Sequence, residues 1–212
     1  MNGRVYDLLS ALAERRVLGP LRERLLGGLS GEVVEIGAGT GASFRYYPAE
    51  ARVRAIEPDP AMMAQARERA ATAKATIALL QGDDTLLDGL EPASLDYVVA
   101  TLMLCSVEAP SATLGRICRV LKPDGRLVTI EHVRSDGFIG MVQDAATPLW
   151  RRFTGNCHLN RSTEDAIRSA GFQTSGIRTR RLPFPLPVQR LIYGEALPQR
   201  AGEGEPVRSA RA

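Results

Sequence analysis

The sequence predicts a doubly wound α/β fold, a parallel sheet covered by helices on both faces. Three observations lead there. From residue 32 onward, short apolar runs alternate with helical stretches. A glycine turn, Gly37-Ala38-Gly39-Thr40-Gly41, follows the first of those runs. And 212 residues suffice for one such domain with a sizeable core while being short for two.

The elements follow in order. Residues 5–29 place Leu8, Leu9, Leu12, Val17, Leu18, Leu21, Leu25 and Leu26 among charges at near-helical spacing, interrupted at Gly19-Pro20. That pattern predicts two amphipathic helices forming a lid over residues 1–30. VVEIG is a first strand. VRAIEP is a second, followed by a helix over PAMMAQARERAAT whose Pro60 suits a first turn. TIALLQGD and LDYVVATLML read as the third and fourth strands, SATLGRICRVL as a helix and GRLVTIEHV as the fifth strand. Residues 134–160 read as an irregular insertion on the substrate side. STEDAIRSAGF predicts a helix with Ser162 and Asp165 in a capping-box relation and Gly171 as its stop. FQTSGIRTRR and VQRLIYGEA are extended runs separated by PFPLP, and residues 199–212, lacking an apolar pattern, read as a flexible tail. Residues 1–198 are expected to form a single domain.

Composition narrows the function. Hydrophobic content of 44% and charged content of 24% are those of a globular protein, and no apolar run reaches the length of a membrane span. The early charges Asp7, Glu14, Arg15 and Arg16 exclude a signal-peptide core. Cys105, Cys118 and Cys157 are scattered without a CxxC pair, which argues against zinc and against a disulfide framework and points to the cytoplasm. No metal is expected. Residues 1–150 carry 16 Lys+Arg against 19 Asp+Glu, and residues 151–212 carry 11 against 5. The basic C-terminal part has too few interleaved aromatic residues for a nucleic-acid stacking platform, so the expected partner is a small molecule, not nucleic acid.

The glycine turn announces a nucleotide-like cofactor. Gly37 to Ala42 satisfies GxGxxG/A, and Glu57 lies 20 residues past Gly37, so the spacing alone permits NAD. Charge separates the readings. A dinucleotide brings a pyrophosphate, which a carboxylate at Glu35 would repel. S-adenosylmethionine (SAM) brings an ammonium and a sulfonium, which the same carboxylate suits. Glycines at 37, 39 and 41 let the backbone approach the amino-acid tail, Glu57 can accept both ribose hydroxyls, and Asp83 after the third strand can accept from the adenine amino group. The predicted cofactor set is Glu35, Gly37, Ala38, Gly39, Gly41, Glu57, Pro58, Gly82, Asp83, Asp84, Thr101 and Leu102.

EIGAGTG, IEPDP, GDD, LDYVVATLML and RVLKPDGRLVTIEH run in an order and spacing that resembles the class I SAM-dependent methyltransferases, with RVLKPDG typical of the ubiquinone and menaquinone group. The resemblance covers about residues 30–196. It implies a Rossmann-like seven-stranded sheet of order 3-2-1-4-5-7-6 with the last strand antiparallel. TLMLCSV, ICRVLKPDG, EHV, Cys157-His158-Leu159-Asn160-Arg161 and LIYGEA further resemble the alkyl thiol S-methyltransferases, with His158 and Asn160 departing from that group's cysteine-asparagine-leucine-threonine-arginine run. The membrane anchor of that group has no counterpart here, which implies no stable membrane insertion.

Methyl transfer to a small apolar acceptor is therefore expected, with thiol sulfur the leading acceptor. A quinone carbon, a phospholipid amine and a natural-product hydroxyl are the alternatives, and a non-catalytic SAM-binding subunit is the rival of another class. His132, beside Glu131 after the fifth strand, and His158, in the insertion, are the candidate bases or substrate partners. Asp144 is a further base candidate, and Cys157 is either a reactive thiol or packing. Trp150, Phe153 and Phe138 are expected to line the acceptor pocket, Arg161 to brace the insertion through a carboxylate, and Met62 and Met63 to cover the adenine or fill the core.

Overall fold

The computed structural model describes residues 11–182 and 188–199. Residues 1–10, PFPLP at 183–187 and the stretch from 200 lie outside the described residues, and with them the expected helix start at Leu8 and Leu9 and the expected flexible tail. Eight strands form one sheet: β1 (Gly31–Ile36), β2 (Ala51–Glu57), β3 (Thr76–Gln81), β4 (Leu95–Thr101), β5 (Leu121–His132), β6 (Phe172–Gln173), β7 (Ile177–Arg181) and β8 (Arg190–Pro198). The order is β3-β2-β1-β4-β5-β8-β6, with β7 also paired to β8. β1 to β5 are parallel and β8 runs antiparallel to β5. This is the Rossmann-like order expected, with one change: FQTSGIRTRR is split into β6 and β7. A turn over residues 174–176 divides it, and Gly176 lets that turn lie against the backbone carbonyl of Glu195 on β8, which any side chain there would strike.

The central strands are buried on both faces, which is why they read as near-continuous apolar runs. Adjacent residues serve opposite sides of the sheet. Val34, Ile36, Val98 and Leu127 pack with Leu114 and Ile117 of α3 (Pro110–Val120) and Ile167 of α5 (Thr163–Ser169). Val33, Val53, Val99 and Val128 pack with Ala66 of α2 (Pro60–Ala70) and with Phe44 and Tyr47. Each of the Val, Leu, Ile and Phe side chains among them, wholly removed from water, contributes about 1.5–3 kcal/mol. Pro60 opens α2 as expected, and Asp59 caps it by accepting the Ala61 N–H at 2.8 Å.

Three local expectations are corrected. The N-terminal segment is not broken at Gly19-Pro20: a π-helical turn over Glu14–Leu18 runs directly into α1 (Gly19–Leu26). Pro20 cannot donate to Arg16, and its ring crowds that carbonyl. The wider turn, closed by Gly19 N–H on the Glu14 carbonyl, accommodates both. Ser162 sits at the N-cap of α5 but makes no side-chain cap bond, and Asp165 pairs instead with Arg168 at 2.9 Å; Gly171 does stop the helix, at φ +87°.

The third correction is the insertion, which is a 17-residue helix, α4 (Gly137–Phe153). Its apolar side faces outward: Phe138, Met141, Leu149 and Phe153 are exposed, while Gly140, Gln143 and Thr147 are buried. The Gln143 carboxamide oxygen accepts the Ser135 N–H at 2.6 Å, and Gly140 lets the helix touch the Ser135 carbonyl. Among the described residues no helix is long and apolar enough to cross a membrane.

Candidate active site

The strand order reverses at β1 and β4, so their carboxyl ends open a crevice rather than continuing one layer. A cleft of ≈ 940 Å³ occupies it. Of the residues expected to hold the cofactor, Gly37, Ala38, Gly39, Glu57, Pro58, Gly82, Asp83, Asp84, Thr101 and Leu102 line this cleft. Glu35 and Gly41 do not.

The glycine turn is tied to β2 by Gly37 and Ala38 N–H groups donating to the Ile56 carbonyl at 2.9 and 3.0 Å. Gly37 adopts φ +68°, and a Cβ there would lie 2.7 Å from Cβ of Met103. Gly39 adopts φ +59° with no atom within 4 Å of the position a Cβ would take, so its bare face is turned to open space. Glu57 closes the turn: Oε2 accepts the Gly39 N–H at 2.8 Å and Oε1 accepts the Asp59 N–H at 2.9 Å. Burial pushes the Glu57 carboxyl above its ordinary range, against the pull of those two bonds. Asp83 caps the 3₁₀ turn Asp84–Gly89 through Thr85, at 3.0 Å to its N–H and 2.5 Å to its hydroxyl. Asp84 is committed to Thr113 and Arg116 at 2.8 and 3.1 Å. Met62 lines the cleft while Met63 is core, so the two methionines divide the roles.

Glu35 lies beneath the glycine turn. It accepts from the Tyr47 hydroxyl at 3.0 Å and bonds Ser43, and burial raises its pKa. Gly41 needs its bare α-carbon for packing, since a Cβ would sit 2.6 Å from the Phe44 ring at φ +78°. In place of these two, the fold supplies Arg22 of α1. It is buried, ion-paired to Glu14 and part of the cleft lining, and its Nε has no partner among the described residues. In sequence Arg22 is one charge on an amphipathic helix. Only the docking of α1 reveals that it points inward.

The other half of the site is built on the turn after β4. Leu102 holds a left-handed backbone, φ +55°, a strained choice for leucine. It is retained by its N–H on the Ile130 carbonyl at 2.8 Å and by Glu131 behind the turn. The wholly buried Glu131 accepts from the N–H groups of Met103, Leu104 and Cys105 at 2.8, 2.8 and 3.3 Å. Burial raises its pKa to about 7, opposed by those bonds and by His132.

His132 is buried, with Nε2 2.8 Å from Cys157 Sγ and Nδ1 unpartnered among the described residues. Cys157 also receives Trp150 Nε1–H at 3.4 Å, and Cys105 is beside it. The Cys105 hydrogen bond, joined by His132, pulls the Cys157 thiol down to about 4. Burial opposes charge on His132, but Cys157 outweighs it and moves the imidazole upward. Neither His132 nor His158 lines the cleft. His158 donates its backbone N–H to the Cys105 carbonyl at 2.9 Å, and its ring is lowered by burial and by Arg161 and Arg151.

Arg161 does brace the insertion, through two carbonyls, Leu104 and Val107, rather than a carboxylate. Asp144 is exposed and clamped by Arg134 at 2.7 Å and Asn160 at 3.1 Å, which hold its pKa down and remove it as a base. Trp150 turns to Cys157. Phe153 reaches the cleft rim, and Phe138 lies away from the cleft on the outward side of α4.

A methyltransferase domain matches residues 34–129. Thiol S-methyltransferase TMT1B of Homo sapiens is 36% identical over 185 residues, 81% of this chain and 73% of that protein. Thiol S-methyltransferase TMT1A of Homo sapiens is 30% identical over 204 residues, 91% and 81%. The chain belongs to the SAM-dependent methyltransferases.

Solved structures agree on the architecture. A possible histamine N-methyltransferase from Thermotoga maritima superposes with a TM-score of 0.65 at 21% identity, covering 93% of this chain and 97% of that one. An O-methyltransferase family protein from Burkholderia thailandensis gives 0.69 at 13%, covering 94% and 60%. At such identities the likeness speaks for the fold alone. The methyl donor of this SAM-dependent methyltransferase is S-adenosylmethionine, and the cleft fits it. An acid ends β2, open space lies over Gly39, and the Arg22 guanidinium adds a positive charge to the lining.

Proposed function

We propose that this methyltransferase S-methylates a small, apolar thiol. The observation that carries the reading is the 30–36% identity to proteins named thiol S-methyltransferases, spread over 81–91% of the chain. The arrangement of bases supports it. Of the base candidates, Asp144 is clamped by Arg134 and His132 is engaged by Cys157. A thiol, with a solution pKa of about 8.5, needs far less activation than a hydroxyl or a ring carbon.

SAM supplies a sulfonium methyl whose transfer leaves a neutral thioether, so no acid is needed for departure. The protein's part is alignment, worth about 7–11 kcal/mol in well-oriented reactions. Arg22 in the cleft lining would offer its charge to the methionine carboxylate, the Gly39 region would admit the amino-acid tail, Glu57 would accept the ribose hydroxyls, and Asp83 would receive the adenine amino group. The test is a side-by-side assay of a small alkyl thiol, a phenol and an amine with methyl-labelled SAM. Preferential labelling of the thiol supports the proposal; labelling of the phenol or amine alone overturns it.

Glu57→Ala should weaken S-adenosylhomocysteine binding about 10–100-fold, the effect of losing a charge-assisted pair of hydrogen bonds. Because burial raises its pKa, and the ionised form is the acceptor, affinity should be full at neutral pH. It should fall as pH drops through that raised pKa, above the usual 4.5. Calorimetry across pH checks this. Glu57→Gln should give a flat profile, and an equally steep profile in that variant would remove Glu57 from the role.

A further inference from the structure

Three side chains outside the cofactor cleft come together from distant parts of the chain. Cys105 follows β4, His132 ends β5 and Cys157 lies in the loop after α4, and their Sγ, Nε2 or Nδ1 and Sγ atoms all lie within 4.8 Å of one another. We infer that Cys105, His132 and Cys157 form a Cys₂His site for a thiophilic divalent cation, Zn²⁺ by its ligand set. The site goes beyond the S-methylation reading and does not rest on it.

The donors suit the ion. Two sulfurs and an imidazole are the Cys₂His combination of a catalytic zinc site, where three protein ligands leave one place open. No carboxylate competes for that place from within the turn: both oxygens of neighbouring Glu131 are used by the three N–H groups of Met103, Leu104 and Cys105. Two ligands are held by the fold. His132 is fixed at the β5–β8 pairing opposite Leu191. Cys105 is fixed by its N–H on Glu131 and by its carbonyl, which accepts from His158. Outer contacts are in place for thiolates as well, with Trp150 Nε1–H on Cys157 at 3.4 Å and the Ser106 hydroxyl 3.6 Å from Cys105 Sγ.

One distance states what binding requires. Zn–S of about 2.3 Å and Zn–N of about 2.0–2.1 Å at a tetrahedral angle place nitrogen and sulfur roughly 3.5 Å apart. His132 and Cys157 stand at 2.8 Å, so Cys157 moves outward by about 0.7 Å, a shift that a loop ligand can make. The ligand spacing also explains why sequence alone argues against zinc. No two of these residues are near neighbours in the chain, so no CxxC signal exists to be read.

Chemically, the two cysteines lose their protons on binding the cation.

The experiment is metal loading of the purified full chain under reducing conditions, with metal content measured after gel filtration and Co²⁺ used as an optical probe. One equivalent of Zn²⁺, and a Co²⁺ spectrum with sulfur charge-transfer and four-coordinate ligand-field bands, are expected. Both should be lost in Cys105→Ser and in Cys157→Ser and kept in Cys118→Ser, with circular dichroism reporting which variants fold. If one cysteine variant misfolds, the other decides. Absence of bound metal in the wild type, or an unchanged Co²⁺ spectrum in the folded variants, overturns the site. Thiol methylation by protein that binds no metal would sink this inference and leave the proposed function standing. Metal binding with labelling of only a phenol would do the reverse.

Discussion

Glu131→Ala should leave the protein largely unfolded or confined to inclusion bodies. The wild-type carboxylate is wholly buried and satisfies three backbone N–H groups in the turn after β4. Removing it strands three buried donors, each costing about 1–3 kcal/mol. The sum approaches the entire stability of a domain, about 5–15 kcal/mol. Leu102 would also lose the support that keeps its left-handed backbone in place. Glu131→Gln keeps one acceptor oxygen but points an N–H₂ group at a backbone N–H, so it should fall between the two. Thermal denaturation followed by far-ultraviolet circular dichroism ranks all three; an alanine variant within a few degrees of the wild-type midpoint would contradict the assignment.

The second large effect separates two glycines that look alike in sequence. Gly37 and Gly39 both hold positive φ, which costs an L-residue about 1–2 kcal/mol. At Gly37 a side chain also collides with Cβ of Met103 at 2.7 Å. Gly37→Val should therefore lower the thermal midpoint and abolish S-adenosylhomocysteine binding together, since Met103 belongs to the turn that Glu131 organises. At Gly39 the added atom meets no protein atom but enters the cleft. Gly39→Ala should stay close to the wild-type midpoint, within the cost of its φ, and lose binding by ~100-fold or more, as expected where a cofactor must approach a bare backbone. Differential scanning fluorimetry with and without ligand distinguishes the two. Equal behaviour of both variants would refute the geometry.

The cofactor half of the site was legible because its signals are local. A strand, a glycine turn and an acid 20 residues on are contiguous features, and they fold into one crevice. Glu35 shows the limit of that reasoning. Its place at the end of β1 suggests the cleft, but the strand's alternation turns its side chain toward Ser43 and Tyr47 instead. Arg22 shows the complementary limit, a helix charge whose function depends on where the helix docks. The Cys105, His132 and Cys157 cluster assembles from three segments and left no pattern to find.

α4 was missed for a different reason. Phe138, Met141 and Leu149 do recur at helical spacing, but Gly140 and Pro148 read as breakers, and the assumption that apolar residues point inward fails because Gly140, Gln143 and Thr147 anchor the helix instead. β1 to β5 obey the assumption, and they appear where apolar runs predicted them.

The turn after β4 belongs to both halves of the site. Leu102, Met103 and Ser106 line the donor cleft, while the carbonyls of Leu104, Cys105, Ser106 and Val107 hold the insertion through Arg161, His158 and Asn156. Any linkage between two ligands that share one segment is reciprocal: whatever factor acceptor occupancy adds to SAM affinity, SAM must add to acceptor affinity. Donor and acceptor should accordingly bind cooperatively and not as independent guests, and loosening the Arg161 strap should uncouple them before it abolishes either.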